Sequence, residues 1–261
     1  LENGERGLNT SKSERNTTIP RMRAGVKTAR SPVILGSMES FLRRYAGPAA
    51  VIAALLALTA LVSLSSGKVL DPDELYHIRH AWVYRTAGLF VHDFPWTPFS
   101  VVTVYGADLW YGFHFLLIPF TYVTNLFTGA RLAAAVLAAA TLALFYFVLK
   151  KERVQLPLLW TLALYVAAPD FLFRMNMARP HTLSAGLLIA LLWYTVKRRA
   201  LAVALISFLL MFIHLNFFWA IALVVGAAAV WTFIIERRAL WRESLAAFAG
   251  MIIGFLARPN P

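Results

Sequence analysis

Residues 46–80 read AGPAAVIAALLALTALVSLSSGKVLDPDELYHIRH, an apolar run that turns abruptly into a cluster of charges. The first part, Ala46 to Ser66, is of membrane length, since an upright helix needs about 20 apolar residues to cross the hydrocarbon core. The second, Asp71-Pro72-Asp73-Glu74-Leu75-Tyr76-His77-Ile78-Arg79-His80, packs three carboxylates, two imidazoles and an arginine into ten residues. Ionisable groups beside hydrocarbon are expensive and tend to be functional. The expected arrangement is a set of membrane helices holding a loop that does the work.

Composition points the same way. Of 261 residues, 59% are hydrophobic and 15% charged, and the mean hydropathy is +0.64, well above the mix of a soluble domain. The formal charge of +12 does not gather on one face, so no nucleic-acid partner is expected. Basic residues fill the N-terminal segment and short clusters between apolar runs: Lys150-Lys151-Glu152-Arg153, Lys197-Arg198-Arg199, and Arg237-Arg238 with Arg242. The positive-inside rule produces that distribution. With no cysteine, disulfides, thiolate nucleophiles and cysteine metal sites are excluded.

Residues 1–45 are polar and basic without apolar periodicity, and read as a disordered cytoplasmic tail. Met22 and Met38 are alternative starts, and Asn16-Thr17-Thr18 would be an inert glycosylation match on a cytoplasmic segment. Arg43 and Arg44 before Ala46–Ser66 suit a retained signal anchor, which places the N-terminus inside and the Asp71 loop outside. The membrane is then a plasma or inner membrane, or the endoplasmic reticulum in a eukaryote. Residues 67–106 form that outer loop. Its stretch from Asp73 to Phe90 can be helical, with Leu75, Ile78, Trp82, Thr86 and Leu89 on one face and Asp73, His77, His80 and Tyr84 on another. Such a helix lies in the interface, apolar side towards lipid or protein. Gly88 loosens it, and Pro95 and Pro98 leave turns behind.

Apolar runs follow at Ala107–Phe127, Arg131–Leu149, Leu156–Phe173, Leu183–Val196, Ala200–Ile213, Phe217–Ile235 and Leu245–Leu256. Placing Lys150–Arg153 inside requires an odd number of crossings after the outer loop, yet residues 107–149 look like two. A partial or tilted first segment resolves this, because Gly106, Gly112, Pro119, Asp108 and His114 spoil 107–127 as a lipid-facing span. Arg174–His181 and His214–Asn216 then fall on the same side as Asp71–His80. Lys/Arg bias alone did that sorting.

These clusters suit one another chemically. A carboxylate near a low-dielectric boundary has its pKa raised towards the range of a general base, and His77 follows Asp73 at helical spacing. An acidic first turn would also complement the helix dipole without any chemistry. Arg174 and Arg179, with His181, can bind phosphate through planar guanidinium forks, or can snorkel to headgroups. His214 and Asn216 suit a polar turn, and Arg131 and His114 suit bundle-internal partners. Arginines that neutralise a phosphate leaving group, beside carboxylates that deprotonate a hydroxyl, are compatible with a lipid-linked phosphosugar at the interface.

Asp71-Pro72-Asp73-Glu74-Leu75-Tyr76-His77-Ile78-Arg79 resembles the first outer-loop acidic motif of the GT-C superfamily of integral-membrane glycosyltransferases. It is similar to the Pro-Asp-Glu element of GPI mannosyltransferases and to the Asp-Pro…His-x-Arg element of oligosaccharyltransferase catalytic subunits. Gly129–Arg199 resembles the protein-mannosyltransferase-like membrane region, with Arg179-Pro180-His181 opening a helix. The likeness covers roughly residues 69–258. His181 stands where that branch often has an acidic residue, and Asp108 to His114 replaces its His-Pro-Pro element.

The resemblance implies an all-α polytopic transmembrane bundle of GT-C type over residues 46–261, truncated at the C-terminus and so a fragment. It implies transfer of a sugar from a polyprenyl-phosphate donor to a protein, glycan or lipid acceptor on the outer or lumenal face. Asp73 is then the expected catalytic base, with Asp71 and Glu74 as alternatives. His77, Arg79, His80, Asp108, Arg174, Arg179 and His181 are expected to bind substrate. Asp71, Asp73 and His77 would be the ligands if a divalent cation, Mg2+ or Mn2+, is used; the superfamily divides on metal use. Two other readings compete: a transporter or flippase of lipid-linked substrates, and a non-catalytic membrane scaffold. The chain shows neither internal repeats nor paired broken helices of the transporter kind.

Overall fold

The computed structural model describes residues 32–65, 71–91, 98–99, 103–104 and 106–259, with side chains from residue 46 onward. Among the described residues every regular element is helical. The chain divides into two units, Leu1–Arg43 and Arg44–Pro261. The first is described only where helix α1 (Pro32–Ser65) begins. That helix starts at Pro32, inside the segment expected as a disordered tail, and residues 1–31 of that segment lie outside the described set.

In the second unit α1 leads to α2 (Pro72–Ala87), the short α3 (Tyr111–Leu117) and a 3-10 helix (Ile118–Tyr122). There follow α4 (Leu126–Lys151), α5 (Pro157–Val166), α6 (Pro169–Met175) and α7 (Pro180–Val196). Helix α8 (Ala200–Ile213) passes through a 3-10 turn (Leu215–Phe217) into α9 (Phe218–Glu236), and α10 (Trp241–Leu256) ends the fold. Helices α2, α5, α6 and α7 each have proline at the first turn, where the missing N–H costs nothing and φ is preset.

Among the described residues, three helical segments are long and apolar enough to cross a membrane: Ala46–Ser65, Leu126–Lys151 and Leu215–Glu236. Residues 107–127 do not form one. Seven helical residues in α3 and a 3-10 helix stand there, as the glycines and Pro119 led one to expect. The run Leu156–Phe173 departs from expectation. It is not one helix but the pair α5 and α6, bent by 98° and counted as a fourth span only if taken together. Pro169 is the cause: a residue preceding proline is pushed out of the helical region, and Ala168 is extended at φ −147, ψ 142, as Asp71 is before Pro72 at φ −153, ψ 130.

Two features tie the bundle together. Gly250 and Gly254 lie one turn apart on α10 and meet Ala204 and Phe208 of α8 so closely that a Cβ at either position would strike backbone carbonyls. At one end of the helices, Glu152 accepts from Lys197 Nζ (2.9 Å) and Trp193 Nε1 (2.6 Å). Arg198 Nη2 donates to Glu236 at 2.6 Å. The three basic turns are therefore gathered at one end, and Pro180, His181 and His214 stand at the other end of α7 and α8. The 17 residues of α7 separate the two ends by about 25 Å.

Candidate functional site

Helix α2 is capped by Asp71, whose side chain accepts the Asp73 N–H. It ends at Ala87, short of the expected Phe90, because Gly88 takes a φ of 105° and caps it. The residues it buries are Glu74, His77, Ile78, His80, Ala81, Val83 and Tyr84, while Leu75 is 40% exposed. The titratable face thus turns inward. Polar side chains can be buried only where partners await them, and α3 with the loop before it supplies those partners.

A cavity of about 410 Å³ opens where α2 meets the N-terminus of α7 and the end of α8. Asp73, Tyr76, His77, Trp110, Arg179, Pro180, His181 and His214 line it. Three clusters far apart in the chain therefore share one wall. Arg179 Nη2 reaches both acidic residues, Asp71 and, at 2.6 Å, Asp73. Asp71 is buried and Asp73 largely exposed. Four polar atoms on the lining residues are buried without a hydrogen-bond partner: Tyr76 Oη, Arg179 Nε, His181 Nε2 and His214 Nδ1. Buried polar atoms are normally satisfied, so a group of such atoms around one cavity marks a place for a polar ligand.

Other expected site residues stand elsewhere. Glu74 is buried and does not line the cavity; burial raises its carboxyl to about 7, against the pull of Arg131. Arg131 itself is buried and donates through Nε to the Ser63 carbonyl at 2.5 Å, joining α4 to α1. Arg79 is exposed, its guanidinium 4.0 Å over the Trp82 ring. Arg174 is exposed outside the cavity. His80 and Asp108 are buried behind the cavity wall with His114 and Tyr84. There Asp108 Oδ2 accepts the Tyr84 hydroxyl (2.8 Å) and pairs with His114 Nδ1 (2.6 Å). Its Oδ1 accepts the Trp110 N–H (2.9 Å), and its carbonyl accepts from Arg258. His114 Nε2 lies 2.8 Å from His77 Nδ1.

Neither candidate ligand set fits a divalent cation. Between Asp71 and Asp73 the positive charge is the Arg179 guanidinium, which occupies both carboxylates that a cation would need. The atoms of His80, Asp108 and His114 lie within 4.8 Å of one another. The two imidazoles, however, stack at 4.2 Å with planes 14° apart. Ligand lone pairs lie in the ring planes, so two parallel stacked rings cannot both aim at one ion. The cluster is a hydrogen-bond network.

Sequence reasoning missed Tyr76 and Trp110 as lining residues. Tyr76 was legible, being three residues from Asp73 and hence on its helical face. The partnership of Tyr84 with Asp108, 24 residues away, had no local signal. Comparison of the chain with protein-family models, curated proteins and solved structures finds no match.

Proposed function

We propose that this chain carries the donor site of a GT-C-type membrane glycosyltransferase, which moves a sugar from a polyprenyl-phosphate carrier to an acceptor hydroxyl on the outer or lumenal face. The observation that supports it best is Arg179 shared by Asp71 and Asp73 on the wall of a cavity rich in unpartnered polar atoms. A carrier phosphate arriving there would find the Arg179 Nε–H without an acceptor. It would draw the guanidinium from the exposed Asp73, while the buried Asp71 keeps its hold. In the reaction the acceptor oxygen bonds to the sugar's anomeric carbon as the carbon–oxygen bond to phosphate breaks. The bonding pair leaves on the phosphate, whose charge Arg179 stabilises, and the hydroxyl proton passes to a base on the cavity wall. Asp73 and His77, four residues apart on α2, line the cavity and can serve as that base, with the imidazoles of His181 and His214 on the same wall.

The test uses membranes containing the full chain and labelled polyprenyl-phosphate mannose or polyprenyl-phosphate glucose. Wild type should discharge label from one carrier, and Arg179→Gln should lose that activity by about 10²-fold or more, the scale of removing one transition-state donor. Arg179→Lys should retain part of it. Flux of intact carrier across the membrane with no transfer product would refute the enzyme and favour a flippase.

A further inference from the structure

Behind the cavity wall runs a hydrogen-bond chain that carrier binding does not require. It begins at Asp108, which is buried. Burial pushes this carboxyl up, but His114, His80 and the Trp110 N–H together outweigh that and hold it well below the usual carboxylate range. An ionised Asp108 only accepts, so the proton on the 2.6 Å contact belongs to His114 Nδ1. In the neutral form of His114 the other nitrogen, Nε2, accepts, and His77 Nδ1 then donates across the next contact, 2.8 Å long. The tautomers are thus assigned along the whole chain, and the free lone pair emerges on Nε2 of His77, a residue that lines the cavity.

The surroundings keep that lone pair available. Burial, then repulsion from His114, lowers the pKa of His77 well below the ordinary imidazole value and that of His80 to about 3.

We propose that His77 is the general base of the transfer, with His114 and Asp108 as positioning residues; this rests on the glycosyltransfer reading above. As the new carbon–oxygen bond forms and the bond to phosphate breaks, the acceptor hydroxyl proton moves to His77 Nε2. The imidazolium so formed is stabilised through Nδ1–H to His114 and through His114 to Asp108, a buried carboxylate backing an imidazole. The same chain can relay the charge inward: His77 Nδ1–H passes to His114 Nε2, leaving the positive ring next to Asp108. Product release returns the proton to water through the cavity.

Two measurements on the full chain in nanodiscs test this. The first is 15N NMR of histidine-labelled protein at neutral pH; the sequence has six histidines, assignable by single substitutions. His77 should show a protonated Nδ1 and a bare Nε2, and Asp108→Asn should disturb that pattern at His77, two hydrogen bonds away. A protonated Nε2 on His77 in the wild type would overturn the assignment. The second follows label leaving polyprenyl-phosphate mannose or glucose. His77→Ala and the space-filling His77→Gln should lose about 10²–10⁴-fold in kcat with carrier KM little changed, and added imidazole should restore His77→Ala. Rates within tenfold of wild type for both His77 variants, or a loss that imidazole cannot restore, overturn His77 as base and leave the transfer reading standing. A wild type that discharges neither carrier ends the transfer reading, and the role of His77 falls with it.

Discussion

Glu74→Gln separates a structural carboxylate from a catalytic one. Glu74 is 1% exposed, and burial raises its pKa from 4.5 to about 7 in spite of Arg131. The folded protein therefore binds more protons than the unfolded chain between those two values, so stability falls as pH rises through the window from about 4.5 to about 7. Above it the whole cost of the buried charge is present. A rise of this size, at 1.36 kcal/mol per unit, corresponds to about 3 kcal/mol. Glutamine has nearly the same shape and no charge to bury. In thermal unfolding of the purified protein, Glu74→Gln should match wild type near pH 4.5 and exceed it near pH 8. By the scaling for 150–250 residues the gain is roughly 6–12 °C in Tm. A Tm at pH 8 that falls in Glu74→Gln would refute the reasoning, because it would mean that ionised Glu74 gains more from Arg131 than it loses by burial. Transfer activity should survive this substitution, since Glu74 does not line the cavity.

Packing and the buried network give two further expectations. Gly250→Ala drives a methyl into the Ala204 carbonyl across the α10–α8 contact and should cost about 1–3 kcal/mol as overpacking, read as a lowered Tm. Gly226→Ala on α9 meets nothing within 4 Å and should gain about 0.5–1 kcal/mol of helix stability, so the two alanines should differ in sign. Tyr84→Phe removes the 2.8 Å donor to Asp108 and should cost about 1–3 kcal/mol, the penalty for a buried acceptor that loses a partner. Equal Tm values for Tyr84→Phe and wild type would show that Asp108 does not depend on that hydroxyl.

Much of the helical layout was legible in the sequence. Apolar run length predicted α4, α7, α8 and α9 closely, because a backbone in hydrocarbon must satisfy its own hydrogen bonds. The break in residues 107–127 was legible from its glycines, its proline and Asp108. The bend at Pro169 was present in the sequence too, but hydropathy counted over Leu156–Phe173 hid it. In the candidate site, the convergence of Asp73, His77, Arg179 and His181 followed from sorting loops by Lys/Arg bias, and the cavity brings those residues together. Arg79, Arg174 and Glu74 shared the same sequence neighbourhoods and went elsewhere, since adjacent positions on a helix point about 100° apart and only packing decides which direction is inward.

Sequence by itself determined the helical class, the breaks at prolines, the basic turns and the chemical types available in the Asp71–His80 stretch. These depend on hydropathy, backbone sterics and charge, which act locally or over one helix length. Only the tertiary structure decided which carboxylate is exposed, that Arg179 is shared by two of them, and that Asp108, His114 and His77 form one chain of protons. Those relations are set by α3 lying against α2 and by the start of α7 meeting both. Hydrogen bonds discriminate at tenths of an ångström, and no pattern along a chain carries that distance between residues dozens of positions apart.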